Sequence, residues 1–156
     1  MAEEKGDKLK VLYACDPYRD LEDLDPGGRL ISPENARLLV VMACELPEES
    51  LSWFRKRLMP PLQLRRQVAA QEVELQERMF EVVKRLESLG YEVDSRVQRG
   101  RKIGEVLVAM ADEHQVDLIL VERRRQTAWQ RLLVGSVIDY LNRYANQSML
   151  IMAPPE

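Results

Sequence analysis

The chain has 156 residues, 46% hydrophobic and 31% charged, with a formal net charge of −3 and a single His; one domain with a substantial core suits that length, and disorder does not suit that composition. The longest apolar run, Leu38 to Cys44, falls far short of the ~20 residues a bilayer requires, and Met1-Ala2-Glu3-Glu4-Lys5 has no apolar stretch behind a basic head. No Cys-x-x-Cys spacing exists and a lone His builds no zinc site, so no metal is expected, and Cys15 and Cys44 are expected to be free thiols in a reducing, cytoplasmic setting.

Charge is unevenly spread. Residues 1–50 hold twelve Asp or Glu against six Lys or Arg, whereas the remainder carries a net +3. A sequence pI of 5.4 argues against a general nucleic-acid binder. Two local basic runs stand out: Arg55-Lys56-Arg57 with Arg65-Arg66, and Arg123-Arg124-Arg125 with Arg131. Each reads first as solvated surface.

In chain order, Lys10 to Cys15 reads as a strand ended by Asp16-Pro17. Residues 17–36 are acidic, contain Pro26-Gly27-Gly28, and are expected to be irregular rather than a full crossover helix. Arg37 to Leu46 reads in two ways. Its central Val40-Val41 favours a buried strand, the preferred reading, while Ser32-Pro33-Glu34 would also start a helix. Pro47 to Phe54 suggests a short helix, broken by Pro60-Pro61.

The second half is more regular. Val68, Leu75, Met79, Val82, Leu86 and Leu89 recur at helical spacing, and Gly90 follows where a helix C′ residue needs positive φ. Tyr91, Val93 and Val97 alternate with charged residues, as in a short strand. After a turn at Gly100, Ile103 to Ala111 forms a second amphipathic helix. Asp117-Leu118-Ile119-Leu120-Val121 has the unbroken apolar character of a strand covered on both faces. Leu133, Val137, Ile138, Leu141 and Tyr144 mark a third helix, and Ser148 to Met152 a closing strand. Strands alternating with helices predict a doubly wound α/β domain over residues 1–156, with right-handed crossovers and helices on both faces of a parallel sheet.

The run from about Gln67 to Pro154 resembles the universal stress protein family. The likeness rests on Gly90-Tyr91-Glu92-Val93, Gly100 before a helix, Asp117-Leu118-Ile119-Leu120-Val121, Arg131-Leu132-Leu133-Val134-Gly135-Ser136-Val137, and the ending Asn146-Gln147-Ser148-Met149-Leu150-Ile151-Met152. It implies a Rossmann-like fold of the adenine-nucleotide alpha-hydrolase type, with five parallel strands in the order 3-2-1-4-5. Members that bind ATP carry Gly-x2-Gly-x9-Gly-Ser/Thr after the fourth strand, where glycines let backbone N–H groups approach the phosphates. In this chain only Gly135-Ser136 survives, with Val137 beside it; Glu122 and Arg125 occupy the two earlier glycine positions. Glu122 puts an unpaired carboxylate where phosphate would lie. Asp16 matches the family's acid at the end of the first strand, although Pro17-Tyr18 replaces the usual Gly-Ser.

ATP or AMP is therefore disfavoured as a cofactor, and the expected role is a non-catalytic regulatory or stress-response module. Two alternatives stand beside it. Arg123, Arg124, Arg125 and Arg131 could bind an anion or nucleotide through guanidinium forks in place of the glycine loop. The basic 55–66 segment with Trp53 could instead dock a protein partner. Ser136 reads as a helix N-cap or a remnant phosphate contact, Cys15 as a buried small hydrophobe, and His114 as a C-terminal helix residue rather than a catalyst. The uncharged run Met149-Leu150-Ile151-Met152 would lie at a sheet edge, which predicts a homodimer paired through the last strand.

Overall fold

The computed structural model describes residues 7–17, 19–28, 30–45, 61–122 and 128–152, with the backbone alone for residues 45, 61, 64 and 128–135. The element order is β1 (Leu9–Ala14), β2 (Ala36–Glu45), α1 (Pro61–Ser88), β3 (Val93–Gly100), α2 (Ile103–Glu113), β4 (Leu118–Glu122), α3 (Ala128–Tyr144) and β5 (Ser148–Met152), with one 3₁₀ turn at Leu21–Asp23. The strands form one sheet in the order β3-β2-β1-β4-β5, and every pairing is parallel. The expected order and direction are both found.

β1 is central, and its chemistry explains why. Val11, Leu12 and Tyr13 are wholly buried, because alternate residues face two different helix layers. Asp117 sets the register against β4. Its carboxylate accepts from the Lys10 backbone N–H at 2.8 Å, and its own N–H donates to the Lys10 carbonyl at 2.8 Å. The ambiguous stretch at 37–46 is strand, with Leu38 to Met42 buried on both faces. Ser32 begins a turn instead of a helix: its N–H donates to Asn35 Oδ1 at 2.9 Å, and its carbonyl accepts from Ala36 at 3.0 Å.

One face of the sheet packs Val11, Tyr13, Leu38, Val40 and Leu120 against Met79, Val82 and Leu86 of α1, and against Leu24 and Ile31 of the segment after β1. That segment holds only the single 3₁₀ turn, yet it supplies the apolar cover a crossover helix would give. On the other face, Leu12, Leu39, Val41 and Ile119 meet Leu107 and Met110 of α2 and Leu141 of α3. α2 and α3 approach closely because Gly104 has no side chain: a Cβ there would lie 2.8 Å from the Tyr140 ring.

α1 starts at Pro61, two turns before the predicted Val68, with proline at its first position as helix geometry favours. It ends as read from the sequence, with Gly90 at φ +99°. Leu89, placed on the apolar face by its period, is instead 39% exposed at the helix end. The helix predicted at Pro47 to Phe54 lies outside the described residues.

Candidate functional site

In open α/β sheets, ligands favour the crevice beyond the carboxyl ends of the strands where the strand order reverses. Here that point lies between β1 and β4. β1 delivers Cys15, Asp16 and Pro17 to it, and β4 ends there with Glu122. Cys15 is buried, as its reading as a small hydrophobe requires, and its N–H extends the ladder by donating to Val41 at 3.0 Å.

Arg19 reaches the ends of both strands. Its guanidinium forms an ion pair with Glu122, with only 11% and 12% of the two side chains exposed. It also donates to the Tyr13 hydroxyl at 3.3 Å and to the Asp23 carbonyl. The loop carrying Arg19 is held from α1, where Arg78 Nε donates to the Pro17 carbonyl at 2.9 Å and the same guanidinium reaches the Arg19 carbonyl. Strand end, loop and helix thus converge on one salt bridge across the two central strands.

This changes the reading of Glu122. The sequence leaves it an unpaired carboxylate that would repel phosphate; the structure gives it a partner 103 residues away. Arg19 neutralises the charge with which Glu122 would repel an anion. A guanidinium–carboxylate pair in a shielded site is costly to break, about 3 kcal/mol when one partner is removed.

The other predicted site residues do not all gather here. Asp16 stands at the crevice, directly after β1 and Cys15, and its carbonyl accepts from Arg19 N–H at 3.3 Å. Arg123, Arg124 and Arg125 lie outside the described residues. Arg131 and Gly135 fall in α3, which begins at Ala128. Ser136 is therefore well inside that helix and is not its N-cap. The stretch Ala128 to Val134 contains no Gly or Pro, so nothing stops the helix from starting upstream. Ser136 and Val137 instead line a separate cleft of about 480 Å³ between α2 and α3, with Lys102, Gly104, Tyr140 and Arg143.

Arg19 and Arg78 were missed from sequence. A signal for Arg19 existed: it is the only base between residues 11 and 28, among five acids. Arg78 carried none, being one charge among many on a helix.

Burial pushes the Cys44 thiol up, Arg99 pulls it back and Glu72 adds to the rise. Arg99 itself donates to Glu72 at 3.2 Å. His114 is the C-cap of α2, and its carbonyl accepts from the Lys10 ammonium. Among the described residues no cluster of His, Cys, Asp or Glu could hold a metal ion, and no helix is long and apolar enough to cross a membrane.

The sequence model of the universal stress protein family matches residues 34–153. No curated protein matches the chain significantly. Among solved structures, a universal stress protein in complex with cAMP is 22% identical with a TM-score of 0.59, over 92% of this chain and 95% of that one. The universal stress protein from Archaeoglobus fulgidus in complex with dAMP is 18% identical, TM-score 0.55, over 92% and 96%. A family protein from Arabidopsis thaliana with AMP bound is 10% identical, TM-score 0.58, over 94% and 92%. At these identities the likeness is one of fold.

Proposed function

The chain belongs to the universal stress protein family, and from that premise we propose that it is a non-catalytic, regulatory or stress-response member whose nucleotide crevice is closed by its own side chains. The Arg19–Glu122 pair carries this reading. It spans the ends of β1 and β4, at the switch point where open α/β sheets take ligands, and a ligand there would have to displace it. Displacement would leave the Glu122 carboxylate shielded and without its partner, which lowers a ligand's affinity. Glu122 and Arg125 at the two glycine positions add Cβ atoms where backbone N–H groups would need to approach phosphate.

Isothermal titration with Mg-ATP, AMP and cAMP at neutral pH tests the reading. The expected result is no binding tighter than millimolar for any of the three. A micromolar dissociation constant for one of them overturns it and favours the nucleotide-binding alternative.

Assembly through β5 belongs to the same proposal. β3, at one edge of the sheet, alternates exposed Asp94, Arg96 and Gln98 with its inward residues, which blunts that edge. β5, at the other edge, has no charge along its length, and Ile151 is 37% exposed. Met149, Leu150, Ile151 and Met152 would form the seam of a two-fold homodimer in which each strand covers the other's open backbone.

A further inference from the structure

α1 is apolar on two sides. Leu75, Met79, Val82 and Leu86 are buried towards the sheet. Leu62, Ala69, Val73 and Phe80 recur at intervals of seven, four and seven, which keeps them within about 20° of one line and roughly 130° around the helix from the buried face. These residues point outward, with Leu62, Val73 and Phe80 62%, 58% and 64% exposed. Arg66 and Gln76 complete the series, so that positions 62, 66, 69, 73, 76 and 80 alternate steps of four and three, the spacing of a coiled-coil seam.

The seam is its own complement when reversed. A two-fold axis at the level of residue 71 sets Leu62 against Phe80, Ala69 against Val73 and Arg66 against Gln76. The small Ala69 lies near the centre, where two backbones must come closest. The same operation brings Arg65 level with Glu77. Charge along the helix follows this symmetry: residues 51–70 contain no acid, whereas Glu72, Glu74, Glu77 and Glu81 crowd the next stretch. Arg65, Arg66, Gln76 and Glu77 are all exposed. A parallel arrangement would oppose like charges; the antiparallel one opposes unlike charges at both ends.

We propose that the outward face of α1 is an interface with a second copy of this chain, packed antiparallel about residue 71. The surface is separate from β5, because α1 packs over β2 and β3 and β5 forms the far edge of the sheet. With both surfaces engaged, two-fold pairs join into a larger assembly; with β5 blocked, α1 alone holds a dimer.

Sedimentation velocity at micromolar concentration on an Ile151→Lys background isolates this face. The expected species is a dimer, and Val73→Lys or Phe80→Lys raises its dissociation constant about tenfold or more. Arg65→Glu with Arg66→Glu weakens it likewise, and adding Gln76→Arg with Glu77→Arg restores it. Ala69→Cys with Val73→Cys gives a dimer linked by disulfides on oxidation. All these positions are exposed in the single chain, so far-ultraviolet circular dichroism of each variant stays that of the background. A monomer on the Ile151→Lys background, or a dimer indifferent to Phe80→Lys, overturns the proposal. Charge reversal that Gln76→Arg and Glu77→Arg fail to rescue overturns the antiparallel register.

Discussion

Arg19 and Glu122 meet across the ends of the two central strands in a pair that is almost entirely shielded from water. Because one partner alone would be a shielded, uncompensated charge, Glu122→Gln is expected to destabilise the protein by about 3 kcal/mol, a fall in melting temperature of roughly 10 °C for a chain of this size. Arg19→Met with Glu122→Leu should cost less than the sum of the single changes. Sulfate should recover part of the Glu122→Gln loss, since the Arg19 guanidinium then lacks its carboxylate partner. Calorimetric melts in sulfate and in chloride at equal ionic strength check all three expectations.

The β5 edge makes a separate prediction. If Ile151 lies in a two-fold strand pair, Ile151→Lys brings two like charges together in a dry seam. The β5-mediated dimer should then dissociate, while far-ultraviolet circular dichroism stays unchanged. Sedimentation of wild type and variant at the same concentration reads the outcome, and any assembly left in the variant runs through another surface.

Gly104 is required by packing rather than by backbone conformation. A Cβ at this position would approach Tyr140 Cγ and Cδ1 to 2.8 Å, closer than the two helices can absorb without moving. Gly104→Ala should therefore destabilise by about 1–3 kcal/mol despite its better helix propensity. Combining it with Tyr140→Ala should recover much of that loss, and denaturant titration of the single and double variants measures it.

Tyr91 links stability to alkaline pH. Its hydroxyl donates to the Ile31 carbonyl at 2.9 Å, and burial, aided by Asp25, raises its pKa above the ordinary value of 10.0. The protonated form is the one the folded state favours. Its contribution is therefore full below the unfolded value near 10 and is lost as pH rises through the higher folded value. Tyr91→Phe should cost about 1 kcal/mol at neutral pH and should flatten the decline in stability above pH 10. Chemical denaturation at pH 7, 9, 10 and 11 separates the two effects.

The sheet was legible in the sequence because its signals are local. Val11 to Tyr13 and Leu118 to Val121 carry unbroken apolar runs that only a strand covered on both faces can bury. The periods through Leu75 to Leu86 and Ile103 to Ala111 mark helices, and crossover handedness narrows the order of the strands. Gly90 announced its own positive φ. The start of α3 was not legible: nothing in Gly135-Ser136 says how far upstream the helix begins, so Ser136, which the sequence offers as an N-cap or a remnant phosphate contact, is an interior residue of α3.

Tertiary structure alone decided the character of the crevice. Arg19 lies in a segment with no period to read, and its partner Glu122 is 103 residues away on another strand. Such a pair exists only once the loop after β1 has folded over the sheet and Arg78 has fastened it from α1. The resemblance to the family implies that the Glu122 carboxylate stands where a glycine would admit phosphate. Whether that carboxylate repels a ligand or is neutralised depends on what the fold brings within a few ångströms, because charges in a shielded site act through their nearest neighbours.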